Sequence, residues 1–299
     1  MKKAVYFVAA LLPAMLSGLS IGNWQNIRFS GKNAASQVLL STEIEASNLT
    51  QNKVIYNPGS GIAEYNLTLQ NAATSTYQAS IPVGSSRRYL GLKNQAGTGP
   101  TRLIPVFYEG KGLPALNQLS RVSSDATKDN GTDHYDIVSD YVSFSDTKLY
   151  TAIRNRGGGF PTSGGLGTVY HSYMSLINDP AADRNDPDVI VWALAYMKVA
   201  LGGISPGLFK ITGTGSSDLV RIGDIQTKLL PGSNLLVMSC NLADLLADPD
   251  FAAWYDPANP VLAFHTIVNR TTVIPFGTKL QDGSPGGLVY LRKLYCDPN

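Results

Sequence analysis

The amino-acid sequence predicts an all-β protein with two β-sandwich domains, a small one followed by a larger one that contains one or two short helices. Three observations predict this fold class. Apolar residues alternate with polar ones over short runs, turn-forming residues recur about every ten positions, and glycine (29) and tyrosine (15) are abundant among the 299 residues. Because successive side chains of a strand point to opposite faces, this spacing creates sheets with an apolar face.

The first 20 residues have the pattern of a signal peptide. Lys2 and Lys3 form a basic start, residues 4–16 are apolar apart from one proline, and the small residues Ser17, Gly18 and Ser20 follow. The apolar run is shorter than the roughly 20 residues that a membrane-spanning helix needs. We therefore expect an exported protein, periplasmic, on the cell surface or extracellular, without a transmembrane span after signal cleavage.

The acidic residues divide the rest of the chain. Residues 21–120 contain four glutamates and no aspartate, whereas residues 121–299 contain 18 aspartates and no glutamate. This change predicts domains at 21–110 and 121–299, joined by a linker at 111–120 that contains glycine and proline. The formal net charge of +2 provides no basic surface for nucleic acid, so we expect no nucleic-acid partner.

The smaller domain shows a β pattern throughout. Its candidate strands are 36–45, 53–56, 63–69, 76–81, 88–93 and 102–108, separated by turn-rich stretches. The runs YQASIP (77–82) and RRYLGLK (87–93) resemble strands of immunoglobulin-like or fibronectin type III modules of secreted bacterial proteins. The resemblance implies a spacer-like sandwich.

The larger domain begins with a hairpin, 135–144 and 148–154, around a turn at 145–147. Further candidate strands are 168–177, 189–199, 207–212, 219–225, 234–240, 261–270 and 287–295, and the candidate helices are 241–247 and 249–255. Both faces of 189–199 are apolar, which predicts a central strand of a sheet.

Two longer runs carry a second resemblance. DIVSDYVSFSDTKLYTAI (136–153) and SCNLADLLADPDFAAW (239–254) resemble secreted domains of carbohydrate-binding module family 9 and DOMON-like sandwiches. The resemblance implies a jelly-roll-like sandwich, and polysaccharide or another envelope or extracellular protein is the candidate partner. It identifies no ligand-stacking tryptophan and no haem ligand in this chain.

Two loops of the larger domain are rich in aspartate. The first contains the candidate calcium ligands Asp125, Asp129, Asn130, Asp133 and Asp136, and the second contains Asp179, Asp183, Asp186 and Asp188. Calcium takes roughly six to eight oxygen ligands, which such loops supply, although neither loop has EF-hand spacing. The alternative is that Asp and Asn stabilise turns by binding nearby backbone groups. Calcium is therefore the one candidate cofactor.

A set of aromatic and basic residues around a glycine-rich stretch, 156–167, is the candidate ligand-binding surface. Its members are Arg154, Arg156, Phe160, Tyr170, Tyr173, Trp192 and Tyr196. Exposed aromatic rings stack on sugars or peptides. The alternative is that rings at alternating strand positions belong to the core.

The sequence predicts no catalytic residue. The single GxSxG motif (18–22) lies at the end of the signal sequence rather than between a strand and a helix. The larger domain has no glutamate, so a glycosidase pair would need two aspartates. The three histidines, His134, His171 and His265, lack the spacing of a zinc site.

The two cysteines, Cys240 and Cys296, are a candidate disulfide in an exported chain, and two buried thiols are the alternative. Together these observations predict an exported, non-catalytic binding or adhesion protein with carbohydrate as the candidate ligand. A structural envelope or filament subunit, whose sheet edges pair with neighbours, is the first alternative. A hydrolase with a dispersed site is the second.

Overall fold

A computed structural model describes the backbone of 49–57, 62–69, 76–82, 88–89, 91–94 and 101–291, the last with gaps at 164–168, 184–185, 187, 199–204, 214–217 and 274–275, and also residues 293 and 295–296. Side chains are described mainly from residue 103 onward. The predicted signal peptide and the predicted strand 36–45 lie outside the described residues. The helices among the described residues are too short to cross a membrane.

The described chain forms two compact units. The first includes the strands before residue 95 together with Leu103–Phe107, and the second includes Tyr108–Leu291. The short strand Tyr295–Cys296, which the sequence analysis assigned to the second domain, groups with the first unit and pairs with residues 88–89.

The first unit is built on an antiparallel sheet. Its strands are β1 (Leu49–Asn57), β2 (Ile62–Leu69), β3 (Thr76–Pro82), β4 (Arg88–Tyr89), β5 (Gly91–Asn94) and β6 (Thr101–Ile104). The chain order β1-β2-β3-β5-β6 is also the spatial order, as expected for strands joined by short turns. The predicted strand 88–93 corresponds to β4 and β5, which make separate pairings, β4 with residues 295–296 and β5 with β3.

The second unit contains two antiparallel sheets. Its strands are β7 (Ser120–Ser124), β8 (Ile137–Phe144), β9 (Lys148–Asn155), β10 (Val169–Asn178), β11 (Val191–Met197), β12 (Gly207–Ile211), β13 (Leu219–Gly223), β14 (Gln226–Leu230), β15 (Leu235–Asn241), β16 (Val261–Val273), β17 (Phe276–Gly283) and β18 (Gly287–Tyr290). One sheet has the order β14-β15-β9-β8-β7, and the other runs β18-β16-β10-β11-β12-β13 with β17 also paired to β16.

The two sheets face each other, with β9 against β10, β15 against β11 and β8 against β16. The predicted all-β sandwich class is therefore confirmed, with only two short helices, α1 (Leu242–Leu246) and α2 (Pro249–Trp254), among the described residues. Helix α2 begins where the Asp248 carboxylate accepts hydrogen bonds from the backbone N–H groups of Asp250 and Phe251, both at 3.1 Å.

Both faces of several strands are buried, which explains their nearly continuous apolar sequence. Tyr141, Tyr150 and Val237 form a cluster with Tyr108 and Leu119 on the face of the five-stranded sheet that lies opposite the interior. The segment before β7 covers this face, since Leu113 and Leu116 also pack against the cluster. The predicted linker is therefore partly a covering layer of the second unit.

The strand that the sequence predicted to be central, β11, lies between β10 and β12. Trp192 and Leu194 are buried on one of its faces. Ala193, Ala195 and Met197 are buried on the other in a cluster with Met174, Leu176 and Phe209. Apolar residues on both faces thus correctly indicated a strand in the middle of a sheet.

A buried polar network joins the two sheets. The Asp140 carboxylate on β8 is fully buried and accepts hydrogen bonds from the backbone N–H and the hydroxyl of Ser123, both at 2.7 Å, and from the hydroxyl of Ser284 at 2.6 Å. The Ser284 hydroxyl in turn accepts from the backbone N–H of Thr266 on β16 at 2.9 Å. The network fixes β7 and β8 to β16 through one carboxylate.

Candidate metal centre and histidine cluster

Three segments meet at one end of the second unit. They are the loop between β7 and β8, which we call the acidic loop (125–136), the turn after β9, which we call the glycine turn (156–160), and the end of β17. The backbone N–H of Arg156 donates to the carbonyl of Asp136 at 2.9 Å, and that of Gly157 donates to the carbonyl of Asp133 at 3.3 Å. The acidic loop and the glycine turn are thereby held together.

Three carboxylates converge at this end. One oxygen from each of Asp125, Asp129 and Asp282 lies within 4.8 Å of the others. Asp125 and Asp129 belong to the acidic loop, and Asp282 is brought from β17, more than 140 residues away in the sequence. The hydrogen bond from the Ile137 backbone N–H to the Asp282 carboxylate, 2.6 Å long, fixes that side chain against the start of β8.

Burial and neighbouring negative charges raise the pKa of two of the three carboxylates, Asp125 and Asp282. Burial raises the pKa of Asp125, and the charges of Asp129 and Asp136 raise it further. Burial also raises the pKa of Asp282, and Asp129 and Asp125 add to the effect. A divalent cation between these carboxylates would remove the repulsion, and oxygen donors of this kind suit calcium.

The other predicted calcium ligands are engaged elsewhere. The Asp133 carboxylate accepts from Arg156 Nε at 2.7 Å, and Arg156 Nη1 lies 2.8 Å from Asp136 Oδ2. The side-chain amide of Asn130 donates to the Gln281 carbonyl at 2.9 Å. The predicted set of five was therefore wrong as a ligand shell: Asp125 and Asp129 meet, whereas the remaining three position the loop.

Asp136 still bears on the metal centre. It is fully buried, and its Oδ1 atom has no hydrogen-bond partner while Oδ2 binds Arg156 and the backbone N–H of Lys128. Its charge acts on Asp125. Asp136 therefore adds to the negative potential beside the three converging carboxylates.

The second acidic loop has the simpler explanation that the sequence analysis kept open. The Asp179 carboxylate accepts from the backbone N–H of Ala181 at 2.8 Å, and that of Asp186 accepts from the backbone N–H of Asp188 at 2.9 Å. These are local turns of the kind that Asp side chains form. In the described part of this loop, the aspartates stabilise the chain reversal.

A cluster of three rings lies under the acidic loop. The rings of His134 and His171 are stacked, with centroids 5.2 Å apart and planes 13° apart. The Tyr135 hydroxyl lies 3.1 Å from Nε2 of His171. His171 and Tyr135 are buried, and Nε2 of His134 is a buried atom without a hydrogen-bond partner. Sequence spacing did not reveal this pair, because one histidine is in a loop and the other on β10.

The glycine turn packs directly on this cluster. Gly158 has a φ of 73°, and a Cβ atom at that position would lie 3.3 Å from the Cβ of His134. The Asn155 side-chain amide donates to the carbonyls of His134 and Gly159. Glycine is therefore needed at 158 both for its backbone conformation and for close approach to the histidine.

The predicted ligand-binding aromatics are mostly core residues, so that prediction was wrong for them. Phe160, Tyr170, Tyr173 and Trp192 are only 7%, 5%, 0% and 1% exposed. The rings of Phe160 and Tyr173 meet edge to face at 5.0 Å, and Trp192 meets Phe251 at 5.2 Å. Tyr196 is half-buried, Arg154 is exposed, and Arg156 is held by its two aspartates. Tyr170 and Tyr173 lie on opposite faces of β10, and both faces are covered there.

Cys240 is a free thiol, so the predicted disulfide with Cys296 is not formed in the structure. Its side chain is 2% exposed on β15, and burial raises the pKa of the thiol to about 12. A thiol in this state is unreactive, because the thiolate is the nucleophilic form.

No protein-family model matches the chain, and no curated protein is similar to it. Function is therefore inferred from the residues that the fold brings together.

Proposed function

We propose that this is an exported, non-catalytic binding protein, and that calcium held by Asp125, Asp129 and Asp282 orders the end of the second unit that meets the partner. The observation that carries the proposal is the convergence of these three carboxylates within 4.8 Å. Export rests on the pattern of the first 20 residues, and carbohydrate is the candidate partner on the resemblance of 136–153 and 239–254 alone.

The spacing of the carboxylates suits one shared ion. Calcium–oxygen distances are about 2.3–2.6 Å, so two oxygens on opposite sides of the ion are about 5 Å apart. The oxygens of the three aspartates lie within 4.8 Å of one another, inside that limit. Backbone carbonyls and water would complete the shell, as they commonly do at calcium sites.

The fold gives such an ion a structural role. Asp125 and Asp129 belong to the acidic loop, whereas Asp282 lies on a strand of the other sheet. An ion shared among them would fix the loop that leads into β8. A fixed loop end is a better binding surface than a mobile one, because less conformational entropy is lost on binding.

Calorimetric titration with CaCl₂ and thermal melting with and without EDTA test the site. We expect calcium to raise the melting temperature of the wild type and EDTA to lower it, since a ligand that binds only the folded state stabilises it. Asp282→Asn should abolish the calcium heat and the EDTA effect, whereas Asp179→Asn, in the other acidic loop, should retain both. A wild-type melt that is identical in calcium and EDTA contradicts the calcium site.

The partner is tested separately, by pull-down on insoluble polysaccharides with calcium present. We expect retention of the wild type and loss of retention in Asp282→Asn. Equal retention of the wild type and the variant would show that polysaccharide binding does not depend on Asp282. Absence of retention on every polysaccharide would contradict carbohydrate as the partner.

A second candidate, the subunit of an envelope or filament assembly, is favoured by the edge strands. Among the described strands, β13 and β14 each pair on one side only, and they follow one another in the chain. They also expose apolar side chains, Val220 at 49% and Leu229 at 42%. Unprotected edges of this kind pair with other chains.

Light scattering of the purified protein distinguishes this candidate. If the edges mediate assembly, Leu229→Lys should reduce the mass of the assembly. The matched control is Leu280→Lys on β17, where the leucine is 57% exposed and lies outside both β13 and β14. A monomeric wild type across the accessible concentrations speaks against the assembly function.

A further inference from the structure

The histidine cluster is not used by the proposed function, and its construction calls for an explanation. His134 belongs to the acidic loop and packs against the glycine turn, whereas His171 belongs to β10 in the sheet below. Their stacked rings, 5.2 Å apart, are therefore a direct contact between the loops and the sandwich. A change of charge on these rings acts on the attachment of the loops.

Charged and titratable groups face the pair from each element packed on it. Asp133 precedes His134 in the acidic loop, Tyr135 follows it, and Arg156 comes from the glycine turn. Arg270 on β16 is the register partner of His171 and acts on both His171 and Tyr135. Asp133 is already paired with Arg156, so Arg270 is left as a cation that opposes a charge on His171.

We propose that His134 and His171 form a proton-controlled latch. When both rings are neutral, they hold the acidic loop and the glycine turn on the sandwich, and when they are protonated, both segments detach. Two imidazolium ions with centroids 5.2 Å apart repel each other. A protonated His171 also loses the lone pair on Nε2 with which it can accept the hydroxyl hydrogen of Tyr135.

The geometry favours this role over a metal site. The rings are stacked with planes only 13° apart, so the in-plane lone pairs of the two imidazoles lie in separate, nearly parallel planes and do not converge on one point. A shared transition metal needs nitrogen atoms that converge on it at about 2.0–2.1 Å. Stacked rings are a packing contact, and a packing contact of two bases is sensitive to protons.

The direction of the pH dependence follows from the surroundings. Burial lowers the pKa of His134 more than the neighbouring Asp133 carboxylate raises it, and burial, His134 and Arg270 lower that of His171 against the opposing Pro161 carbonyl. The detached state therefore binds more protons, and attachment weakens as the pH falls through about 6.5, the ordinary value for histidine.

The nearby carboxylates act in the opposite direction. The pKa values of Asp125 and Asp282 are raised in the folded protein, so their protonation favours the attached state at low pH. An acid-induced opening at this end therefore cannot come from these two groups. The latch also does not depend on calcium, and its test is made in EDTA throughout.

Two measurements test the latch. NMR titration of the wild type gives the pKa of each ring directly, and we expect both to titrate below about 6.5. Hydrogen exchange then follows the backbone amides of Tyr135, Arg156 and Gly157, which bind Thr132, Asp136 and Asp133 carbonyls. After correction for intrinsic rates, we expect their protection to fall about tenfold or more between pH 7.5 and pH 5.5, since each ring that is protonated only in the detached state weakens attachment by up to a factor of ten per pH unit below about 6.5. Amides of the β9–β15 pairing should be unaffected.

The variants separate the latch from general acid sensitivity. In His134→Gln/His171→Gln, protection of the same amides should be independent of pH over this range, while His265→Gln should behave like the wild type. The proposal is overturned if both rings titrate at or above about 6.5, if wild-type protection is unchanged by pH, or if the double variant keeps the wild-type fall. The NMR and exchange results on the wild type decide the matter even if the double variant does not fold.

Discussion

Replacement of Asp140 by alanine tests the idea that a single buried carboxylate joins the two sheets. The side chain is fully buried and accepts hydrogen bonds from Ser123 N, Ser123 Oγ and Ser284 Oγ at 2.6–2.7 Å. Alanine leaves the Ser123 N–H without its acceptor, and backbone geometry prevents it from turning to another. The hydroxyls of Ser123 and Ser284 can rotate toward other acceptors, so less hydrogen-bond energy is lost at these two groups.

The magnitude follows from these partners. A hydrogen bond to a charged group contributes about 1.5–3 kcal/mol, and an unsatisfied buried donor costs about 1–3 kcal/mol. Removal of the carboxylate also removes the cost of burying it, which offsets part of the loss. We therefore expect Asp140→Ala to lower the free energy of unfolding by about 3–5 kcal/mol. Asp140→Asn keeps the shape and an acceptor for Ser123 and should lose about half as much.

Urea unfolding followed by tryptophan fluorescence is the appropriate assay. Two of the three tryptophans, Trp192 and Trp254, lie in the second unit, so in a Trp24→Phe background the emission reports on the sandwich that contains Asp140. Asp188→Ala, at an exposed position of the second acidic loop, is the matched control and should change stability by less than about 0.5 kcal/mol. A loss below about 1 kcal/mol for Asp140→Ala, with an unchanged dependence on urea, would refute the reasoning.

Three further expectations follow from the same structure. Gly158→Ala should lower the free energy of unfolding by about 1–3 kcal/mol, because φ there is 73° and the added methyl group meets His134. The control in the same urea assay is Gly232→Ala, where nothing lies within 4 Å of the added methyl group. Equal losses of stability in the two variants would contradict backbone strain at residue 158. Arg156→Met should lower the free energy of unfolding by about 3–5 kcal/mol, since it leaves the fully buried Asp136 without its cation. The control, Arg154→Met at an exposed position of β9, should have little effect in thermal melts. Cys240 should resist alkylation in the folded protein at pH 8 and react after unfolding without reductant, as read by mass spectrometry; labelling of the native protein would show that the thiol is accessible.

Much of the fold could be predicted because alternation is a local signal. The hairpin β8–β9, the central strand β11 and the helical turns after β15 all carry their hydrophobic pattern in consecutive residues. The strands that were missed, β7, β14 and β17, are short, polar or exposed; β14, for example, is exposed at four of its five positions. Such a strand forms because the neighbouring strand provides backbone hydrogen-bond partners. Its own side chains therefore need not alternate between polar and apolar, and the sequence pattern does not predict the strand.

The candidate site shows the same division between local and distant information. Asp125 and Asp129 could be selected from the density of aspartate in one loop. Asp282 could not, because it stands alone in β17 and reaches the loop only through the pairing of that strand with β16. The aromatic prediction failed for a related reason: alternation shows which rings share a face, but which face is buried depends on the layer that packs against it.

Composition and hydrophobic period are enough to predict the β class, the short helices and the division of acidic residues between the two halves, since propensity and period are properties of neighbouring residues. Tertiary structure alone decided that Arg156 binds Asp133 and Asp136, that His134 stacks on His171, and that Asp282 joins the acidic loop. These contacts join groups on different strands and loops. Their distances are fixed by sheet pairing and by the packing of one sheet on the other, which no window of consecutive residues contains.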